Sequence, residues 1–421
     1  MIRRVFADYP LAIIALLLSA FGIATVYSAG QTDVVIPAIA NAYKRQLAWF
    51  CFAVFAAWVV SRASVRLLEW VSWPSYIFAC VLLVVTFIFG SGAGTASSMK
   101  GWLTIGGVRL GQPAELAKVA VVLMLAKVLA ARREPPKSLV DLWKPALVVL
   151  VPWVLIMLQP DLGTGMVFIG IFFAMLFWSG VSWPLLLLVA SPAVSLLLAG
   201  WGPLVWGAWF SVLLAVVLWY KPYAVEGVFL LVANVAMGVL APILWETLSP
   251  YQQSRLKVFL DASLDPRASG YHVIQSQIAI GSGGVLGKGF TLGTQKRLAF
   301  LPEQHTDFIF SVVGEELGFV GVSVALMLFL FLFLRVIRVA SRANESFSSL
   351  VAFGLLGSWL VHVIVNVGMT LNLMPITGIP LPFFSYGGSF MLACWLSVGI
   401  LVRISSEGRG EADALPIGIR R

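Results

Sequence analysis

The chain has 421 residues, of which 60% are hydrophobic and 11% charged, and its mean hydropathy is +0.95. Soluble domains carry roughly 25% charged residues, so this composition excludes a water-soluble protein and indicates one that lies in a membrane. The net charge of +9 suits anionic headgroups or a phosphate-bearing substrate, and we expect no nucleic-acid partner because no basic, aromatic-rich soluble domain is present.

The first apolar segment, residues 11–29, follows Arg3 and Arg4 and could pass for a signal peptide. It is long enough to span a membrane and ends in the poor cleavage sequence Ser28-Ala29-Gly30, so we interpret it as a retained helix. The three cysteines, Cys51, Cys80 and Cys394, lie far apart in apolar segments. Their spacing fits neither a metal site nor a disulfide framework.

A helix needs about 20 apolar residues to cross the hydrocarbon core of a membrane. On that criterion the sequence predicts an all-α, polytopic membrane bundle of about twelve transmembrane helices. The segments on either side of Gln159-Pro160-Asp161 form a broken hairpin. The predicted spans are 11–29, 45–61, 74–91, 114–131, 145–158, 162–180, 182–199, 203–220, 225–245, 307–337, 348–370 and 385–404.

The distribution of basic residues predicts the orientation, because cytoplasmic loops are enriched in Lys and Arg. With the N-terminus inside, the inner segments hold sixteen Lys and Arg residues, and the short outer loops hold only Lys44, Arg45, Lys100 and Arg109. Both termini, including a tail over residues 405–421, are then cytoplasmic. Segments 92–113, 246–306 and 371–384 lie outside.

The outer segment 246–306 is long for a connecting loop, and loops of this length are usually functional or disordered. It holds six basic residues and a run of recurring apolar residues between Tyr271 and Ile280. That run predicts an amphipathic or re-entrant helix on the membrane surface. The basic residues are Arg255, Lys257, Arg267, Lys288, Lys296 and Arg297.

Residues 281–289, GSGGVLGKG, superficially resemble a phosphate-binding loop. Ser282 stands where that motif requires its first glycine, and Gly289 replaces the required Ser or Thr. We therefore interpret the segment as a flexible turn that exposes its backbone. Such a turn could still offer N–H groups to a diphosphate.

Asp307 stands at the start of a long apolar helix and has three interpretations. Thr306 or Asp307 could cap the helix. Asp307 could instead be a reactive carboxylate held at the outer boundary of the membrane. The third interpretation is a metal site, because Glu303, His305 and Asp307 alternate along the chain and would share one side of an extended segment. We do not favour this alternative and assign no metal ligands.

Glu115, Lys118, Glu315 and Glu316 lie inside predicted spans, where ionisable groups are costly. Glu315 is about 80° around its helix from Asp307, and Glu316 is roughly opposite Asp307, so the two glutamates need separate partners. Gly314 and Gly318, four residues apart, indicate a close helix contact. Glu115 and Lys118 are three residues apart and can neutralise each other. We assign all four charged residues a structural role.

Several sequence blocks resemble the SEDS family of bacterial polymerases (shape, elongation, division and sporulation), and its elongation branch more than its division branch. The likeness extends over residues 10 to 405. Ala114 and Phe390 depart from residues that are frequent in the family, where each position often has Ser. The blocks are residues 100–102, 112–118, 159–164, 270–290 (GYHVIQSQIAIGSGGVLGKGF), 293–295, 301–321 (LPEQHTDFIFSVVGEELGFVG) and 375–389 (PITGIPLPFFSYGGS).

The resemblance implies one integral membrane domain over residues 1–421. The family usually has ten spans, so the region 182–245 contains an apparent insertion of two helices. Because two extra spans preserve parity, the large loop 246–306 stays outside.

The resemblance also implies a peptidoglycan glycosyltransferase in the bacterial cytoplasmic membrane. Such an enzyme polymerises lipid II, the undecaprenyl-diphosphate-linked disaccharide-pentapeptide, into glycan strands for elongation and rod shape. Asp307 would be the general base of an inverting reaction that forms a β-1,4 bond and releases undecaprenyl diphosphate. The candidates for binding substrate and its diphosphate are Lys288, Lys296, Arg297, Arg109 and Trp102.

No cofactor is certain, and a divalent cation, Mg or Mn, is an open expectation. The expected partners are the undecaprenyl-linked glycan, a cognate class B penicillin-binding protein that acts as the transpeptidase, and the elongation machinery. A flippase for lipid-linked precursors, a division-type polymerase and a pure scaffold are the alternatives. A transporter would concentrate its polar residues near the membrane midplane, whereas here most of them lie on the outer face.

Overall fold

In the computed structural model of the protein, the described residues are 8–33, 37–92, 101–105, 108–248, 253–255, 258–259, 269–298, 300 and 303–412. They form a bundle of long helices, which confirms the all-α class. The long helices are α1 (Tyr9–Ala29), α3 (Ala42–Val60), α4 (Val65–Phe89), α5 (Pro113–Ala130), α6 (Trp143–Leu158), α7 (Leu162–Trp178), α8 (Trp183–Ala199), α9 (Pro203–Tyr220), α10 (Ala224–Thr247), α11 (Ser269–Gly283), α13 (Ile309–Ser341), α14 (Ser346–Thr370) and α15 (Gly388–Ala412).

Short elements complete the described part of the fold. They are the helices α2 (Pro37–Ala40) and α12 (Thr294–Arg297), a 3₁₀ turn at Val140–Leu142, and an antiparallel ribbon of β1 (Leu103–Ile105) and β2 (Val108–Gly111). The ribbon lies in segment 92–113, for which the sequence predicted an outer loop without regular structure. It ends at Gly111, directly before α5.

Each of the twelve predicted spans corresponds to a helix of the structure. Eight helices of the described part are long and apolar enough to cross a membrane, and α7 and α8 are shorter apolar helices. The two other predicted spans, α3 and α5, carry several charged residues. The membrane bundle is thus confirmed, while the count of twelve crossings stays a prediction.

The centre of the bundle is formed by α14, which packs against α5, α7 and α13, and by α15, which packs against α3. One large cluster of buried apolar side chains connects these helices. Large apolar side chains such as Phe55, Phe89 and Trp219 point outward. That distribution suits a bundle whose solvent is lipid.

The predicted helix within segment 246–306 is confirmed as α11, which packs against α13 and α14. The C-terminal helix α15 continues to Ala412, so it includes the first part of the predicted tail, and the rest of that tail lies outside the described residues. Lys100, Lys257 and Arg267, which were counted among the basic residues of the outer segments, also lie outside the described residues.

Helices α8, α9 and α10 occupy the region of the apparent insertion and pack mainly on one another. They share a small core of Leu188, Leu213 and Leu230 that is distinct from the large cluster. A polar contact inside this group joins Asn234 Nδ2 to Ser191 Oγ at 2.8 Å. The three helices therefore form a peripheral unit on the side of the bundle.

Candidate active site

Asp307 lies in the turn that precedes α13 and is held there by its backbone. The Asn366 side chain donates to the carbonyl oxygens of Asp307 at 2.9 Å and Ile379 at 2.8 Å. Ser385 Oγ donates to the Thr306 carbonyl at 2.7 Å, and the Tyr386 amide donates to the His305 carbonyl at 2.9 Å. The segment 376–386 and the turn are therefore fixed to each other.

The helix-capping interpretation of Asp307 is not supported by the geometry. Phe308 is the N-cap residue of α13, and no side chain makes a capping hydrogen bond there. The Thr306 hydroxyl instead donates to the carbonyl and carboxylate of Glu303. The acid at position 307 is therefore not explained by the way its helix begins.

Asp307 is a partly buried carboxyl group in a mixed electrostatic environment. Burial, together with the negative charge of Glu303, raises the pKa of Asp307 from 3.8 to about 7, although the guanidinium of Arg255 opposes this rise. A carboxyl group with a pKa near neutral pH can take up a proton and release it again under physiological conditions. This property suits a general base.

Gly378 allows the close approach of two charged groups at this site. Its φ is +73°, and a Cβ atom there would lie 3.2 Å from Asp307 Oδ2 and 3.9 Å from a terminal nitrogen of Arg255. Any larger residue would carry a side chain into the space beside the carboxylate and the guanidinium. The missing side chain of Gly378 thus leaves a small polar space between the carboxylate, the guanidinium and the backbone of segment 376–386, which we call the cleft.

Several buried polar atoms around this cleft have no hydrogen-bond partner among the described residues. They are His272 Nδ1, His305 Nδ1, Asn366 Oδ1 and Thr377 Oγ1. The His272 ring stacks on Phe308, with centroids 5.9 Å apart. Buried polar groups are usually satisfied by protein, water or ligand, so the cleft offers donors and acceptors to a polar, multi-hydroxyl ligand.

Asp161 supports the site from the start of α7. Its carboxylate caps that helix by accepting hydrogen bonds from the Thr164 amide and hydroxyl, and it also accepts one from the Gln112 side chain at 3.0 Å. A Cβ atom at Gly163 would lie 2.8 Å from the Thr377 carbonyl. The sequence blocks around residues 112, 161 and 377 therefore meet at one end of the bundle.

Glu115 and Lys118 form the predicted ion pair, with 2.6 Å between Oε2 and Nζ and with both side chains buried. Lys118 Nζ also lies 2.8 Å from Nε2 of His362 on α14. The pair is therefore connected to a second helix. His362 was not predicted from the sequence as a partner of this pair.

Glu315 and Glu316 bind separate lysines, as the helical geometry predicted. Lys288 lies 2.9 Å from Glu315, and Lys296 lies 2.5 Å from Glu316. Lys296 is fully buried and also donates to the carbonyl and hydroxyl of Ser28. This placement contradicts the prediction that Lys296 contacts a diphosphate, and Lys288 is likewise engaged in a structural pair.

The glycine-rich segment 281–289 fills a break in α13. Gly318 has φ +62° and ψ −159°, which interrupts the helix. The amides of Lys288 and Gly289 donate to the carbonyls of Glu315 and Glu316, and the amides of Phe319 and Val320 donate to the carbonyls of Gly284 and Val285. These backbone groups would otherwise be unpaired inside the protein.

The possibility that the segment offers N–H groups to a diphosphate is contradicted for Gly287, Lys288 and Gly289, because their amides are already bonded within the protein. The glycines are needed for close packing instead. A Cβ atom on Gly287 would lie 2.1 Å from the Glu316 carbonyl oxygen. Gly314 and Gly318 also make close contacts, with Ile280 and Gly287 respectively, as their spacing predicted.

The remaining predicted site residues are more peripheral. Arg297 is half-exposed and binds Asp33 at 2.8 Å. Trp102 precedes β1 and forms a backbone bridge with Ser91. The backbone of Arg109 pairs with Thr104 in the ribbon, but its side chain lies outside the described part of the structure.

No group of three acidic, His or Cys side chains converges on a point among the described residues, so Glu303, His305 and Asp307 do not form a metal site by themselves.

Two cations near the site were missed as site residues. Arg255 approaches Asp307 from segment 246–306. Arg45 on α3 lies over the ring of Tyr386, 5.4 Å from its centroid, and Tyr386 in turn contacts the ring of His305. Their sequence positions gave no signal, because neither lies beside Asp307 along the chain.

The sequence of the chain matches a known protein family. A family described as cell cycle protein, FtsW/RodA/SpoVE, matches residues 9–206 and 204–410. The chain belongs to this family, the SEDS family. The two matches meet at residues 204–206, inside the region of the apparent insertion.

Two relatives align over nearly their whole length. The chain is 34% identical to the peptidoglycan glycosyltransferase MrdB of Escherichia coli K12, over 96% of this chain and 95% of that protein. It is 35% identical to the peptidoglycan glycosyltransferase RodA of Treponema pallidum, over 95% of this chain and 98% of that protein.

Two solved structures have the same fold. The rod shape determining protein RodA of Thermus thermophilus matches with a TM-score of 0.61 and 26% identity, over 94% of this chain and 96% of that one. The second match is one chain of a peptidoglycan synthase complex, from a structure described as "Structural coordination of polymerization and crosslinking by a peptidoglycan synthase complex". Its TM-score is 0.69 and its identity 27%, over 95% of this chain and 98% of that one.

Proposed function

We propose that this protein is a peptidoglycan glycosyltransferase that polymerises lipid II into glycan strands. The names of its relatives MrdB and RodA support the reaction class. The environment of the Asp307 carboxyl group is the single observation that assigns the reaction to a site. It is partly buried, it does not cap its helix, and its pKa is raised to about 7.

In the proposed reaction, the 4-hydroxyl of the acceptor sugar attacks the anomeric carbon of the donor. Asp307 takes the hydroxyl proton, the bond from the anomeric carbon to the diphosphate oxygen breaks, and undecaprenyl diphosphate leaves with the bonding electrons. One displacement converts the α-linked donor into a β-1,4 linkage, so a covalent sugar–enzyme intermediate is not needed. A base with a pKa near the working pH is effective in such a step.

The leaving diphosphate carries negative charge that must be stabilised. We assign this role to Arg255 at the cleft, with Arg45 and Arg109 as further candidates from the same end of the bundle. The Arg297–Asp33 pair is half-exposed, and such pairs contribute little to stability, so Arg297 remains available for exchange with a phosphate. A divalent cation stays an open expectation, and we assign proton transfer to Asp307 and charge stabilisation to these basic side chains.

A transporter of lipid-linked precursors is disfavoured by the way α13 is broken. Transporters use the free backbone groups of discontinuous helices to bind substrate. Here the residues on both sides of Gly318 already pair with the segment 284–289. The backbone groups at the break are therefore not free to bind a substrate.

We further propose the cellular setting. Asp307 faces the outside of the cytoplasmic membrane, and both termini are cytoplasmic. A role in rod-shape elongation rather than division follows the likeness to RodA and MrdB. Because the related synthase complex couples polymerization with crosslinking, the partner that we propose is a class B penicillin-binding protein.

The test is polymerisation of labelled lipid II by the purified full-length chain, with and without that partner. Asp307→Asn should lower the rate by about 10²–10⁴-fold, the usual effect of losing a general base, while the protein remains folded. Glu134→Gln, which removes an exposed acid of the Lys137 pair away from the site, is the matched control and should stay within about threefold of the wild type. Polymerisation by Asp307→Asn at a near-normal rate would remove this residue from the role of base.

A further inference from the structure

His362 lies at the centre of a buried polar chain that the reaction described above does not use. It is fully buried on α14. Its Nε2 atom lies 2.8 Å from Lys118 Nζ, and its Nδ1 atom lies 2.9 Å from the Pro380 carbonyl oxygen. The side chain therefore connects the Glu115–Lys118 pair to the segment 376–386.

The two contacts allow one form of the imidazole. The Pro380 carbonyl can only accept a hydrogen bond, so Nδ1 must carry the proton. The Lys118 ammonium group can only donate, so Nε2 must have a free lone pair. His362 is therefore neutral and protonated at Nδ1, and the ion pair with Glu115 fixes the direction from which Lys118 donates.

Asn366 lies one turn along the same helix and completes the arrangement. It donates to Ile379, the neighbour of Pro380, and also to the carbonyl of Asp307. Two side chains on one face of α14 thus bind adjacent carbonyls of the segment that lies against Asp307. This segment also contains Gly378, whose close approach keeps the cleft open.

Phe390 adds an apolar contact to this chain. Its ring centroid lies 4.7 Å from that of His362 and 5.1 Å from Lys118 Nζ. The two rings are tilted by 33° to each other, so the phenyl ring covers one side of the imidazole. A flat ring on one side and a donor on the other leave the imidazole little freedom to rotate.

We propose that His362 is a positioning residue, which couples the buried Glu115–Lys118 pair to segment 376–386 and so holds Asp307 in its reactive position. The inference rests on the proposed function, in which Asp307 is the base. It assigns Glu115 and Lys118 an indirect role in the reaction in addition to their role in packing.

The first test compares His362→Phe with His362→Gln in the full-length protein. Phe removes both hydrogen bonds, whereas Gln retains an acceptor for Lys118 and a donor for Pro380. His362→Phe should lower kcat for lipid II polymerisation at least tenfold with KM changed less than threefold, and His362→Gln should restore most of that loss. Leu360→Ala, at a partly exposed position on the same helix, is the control and should behave as the wild type.

The pH profile separates positioning from a general loss of folded protein. Arg255, Glu303 and Asp161 are the charged groups that act on Asp307, and none of them is altered in these variants. A looser segment admits water to Asp307, so the acidic limb of the kcat/KM profile should move to lower pH in His362→Phe. A purely structural residue would reduce the yield of protein and leave that limb in place.

Hydrogen–deuterium exchange gives a readout that is independent of activity. Amides in 376–386 should exchange at least fivefold faster in His362→Phe than in the wild type or Leu360→Ala. If His362→Phe does not fold, the double variant Glu115→Gln/Lys118→Met removes the donor to Nε2 without leaving a lone charge, and the same amides should exchange faster. Unchanged exchange in the folded variants would overturn the positioning role, whereas an active Asp307→Asn would overturn only the base.

Discussion

Lys296 and Glu316 form an ion pair of 2.5 Å in which neither side chain is more than 2% exposed. Lys296 comes from the short helix α12, and Glu316 lies in α13 just before the break at Gly318. The pair thus attaches the segment after α11 to the broken helix. A buried pair of this kind is costly to disrupt from one side, because the remaining charge has no partner.

Lys296→Met should destabilise the protein by about 3–5 kcal/mol, the usual cost of leaving one member of a buried pair alone. The double variant Lys296→Met/Glu316→Gln should recover most of this loss, because no unpaired charge remains. Thermal unfolding of the purified protein in detergent measures both. A single variant as stable as the wild type would contradict the structural role.

Arg297→Gln is the matched comparison for a neighbouring pair. Arg297 and Asp33 are about half-exposed, and exposed ion pairs contribute roughly 0–1 kcal/mol. We therefore expect almost no change in the unfolding temperature. If Arg297 contacts the leaving diphosphate, the same variant raises KM for lipid II, and the two measurements distinguish binding from stability.

The pH dependence of polymerisation should follow the groups around Asp307. The base must be deprotonated, so activity should rise through the acidic limb near the pKa of about 7. Glu303 raises this pKa and Arg255 lowers it. Glu303→Gln should therefore move the limb to lower pH, and Arg255→Gln should move it to higher pH. Profiles of kcat/KM between about pH 5.5 and 9 test both signs, and two shifts in the same direction would exclude this electrostatic account.

The glycine-rich segment gives a prediction about packing. Gly287 has φ +78°, and a Cβ atom there would lie 2.1 Å from the Glu316 carbonyl oxygen. Gly287→Ala should thus cost about 2–4 kcal/mol through overpacking and backbone strain. Gly281→Ala is the control, because a Cβ atom there has no neighbour within 4 Å and Ala is favoured in a helix by about 1 kcal/mol. Equal unfolding temperatures for the two variants would contradict the observed contact.

The orientation in the membrane can be measured with single cysteines at positions 269 and 346. In a background with Cys51, Cys80 and Cys394 replaced by Ser, an impermeant thiol reagent applied to intact cells should label Ser269→Cys and not Ser346→Cys. The expected result follows from the enrichment of basic residues in the inner loops. Labelling in the opposite pattern would place Asp307 on the cytoplasmic side and would remove access to external lipid II.

Much of the helical framework could be predicted from apolar runs, because lipid imposes a minimum length on every crossing. The separate partners of Glu315 and Glu316 also followed from residue spacing alone. Spacing within one helix fixes the direction in which each side chain points. Spacing does not identify the partner residue that another part of the chain supplies.

The site was harder to predict for that reason. Lys288 and Lys296 looked like ligands for a phosphate because the sequence shows their charge but not their burial against α13. Arg255 and His362 were missed because each contacts the site through the tertiary fold, from positions distant along the chain. The helix break at Gly318 was equally hidden, since a glycine in an apolar run also fits a continuous helix.

The peripheral packing of α8, α9 and α10 has a consequence for how the protein loses structure. Because these helices pack mainly on one another and share a small core of their own, they can open as a cooperative unit at a lower free energy than global unfolding. Proteases and amide exchange should then reach the connections at 200–202 and 221–223 first. Moderate heating would therefore unfold α8, α9 and α10 first, while the helices around Asp307 remain folded and glycan synthesis continues.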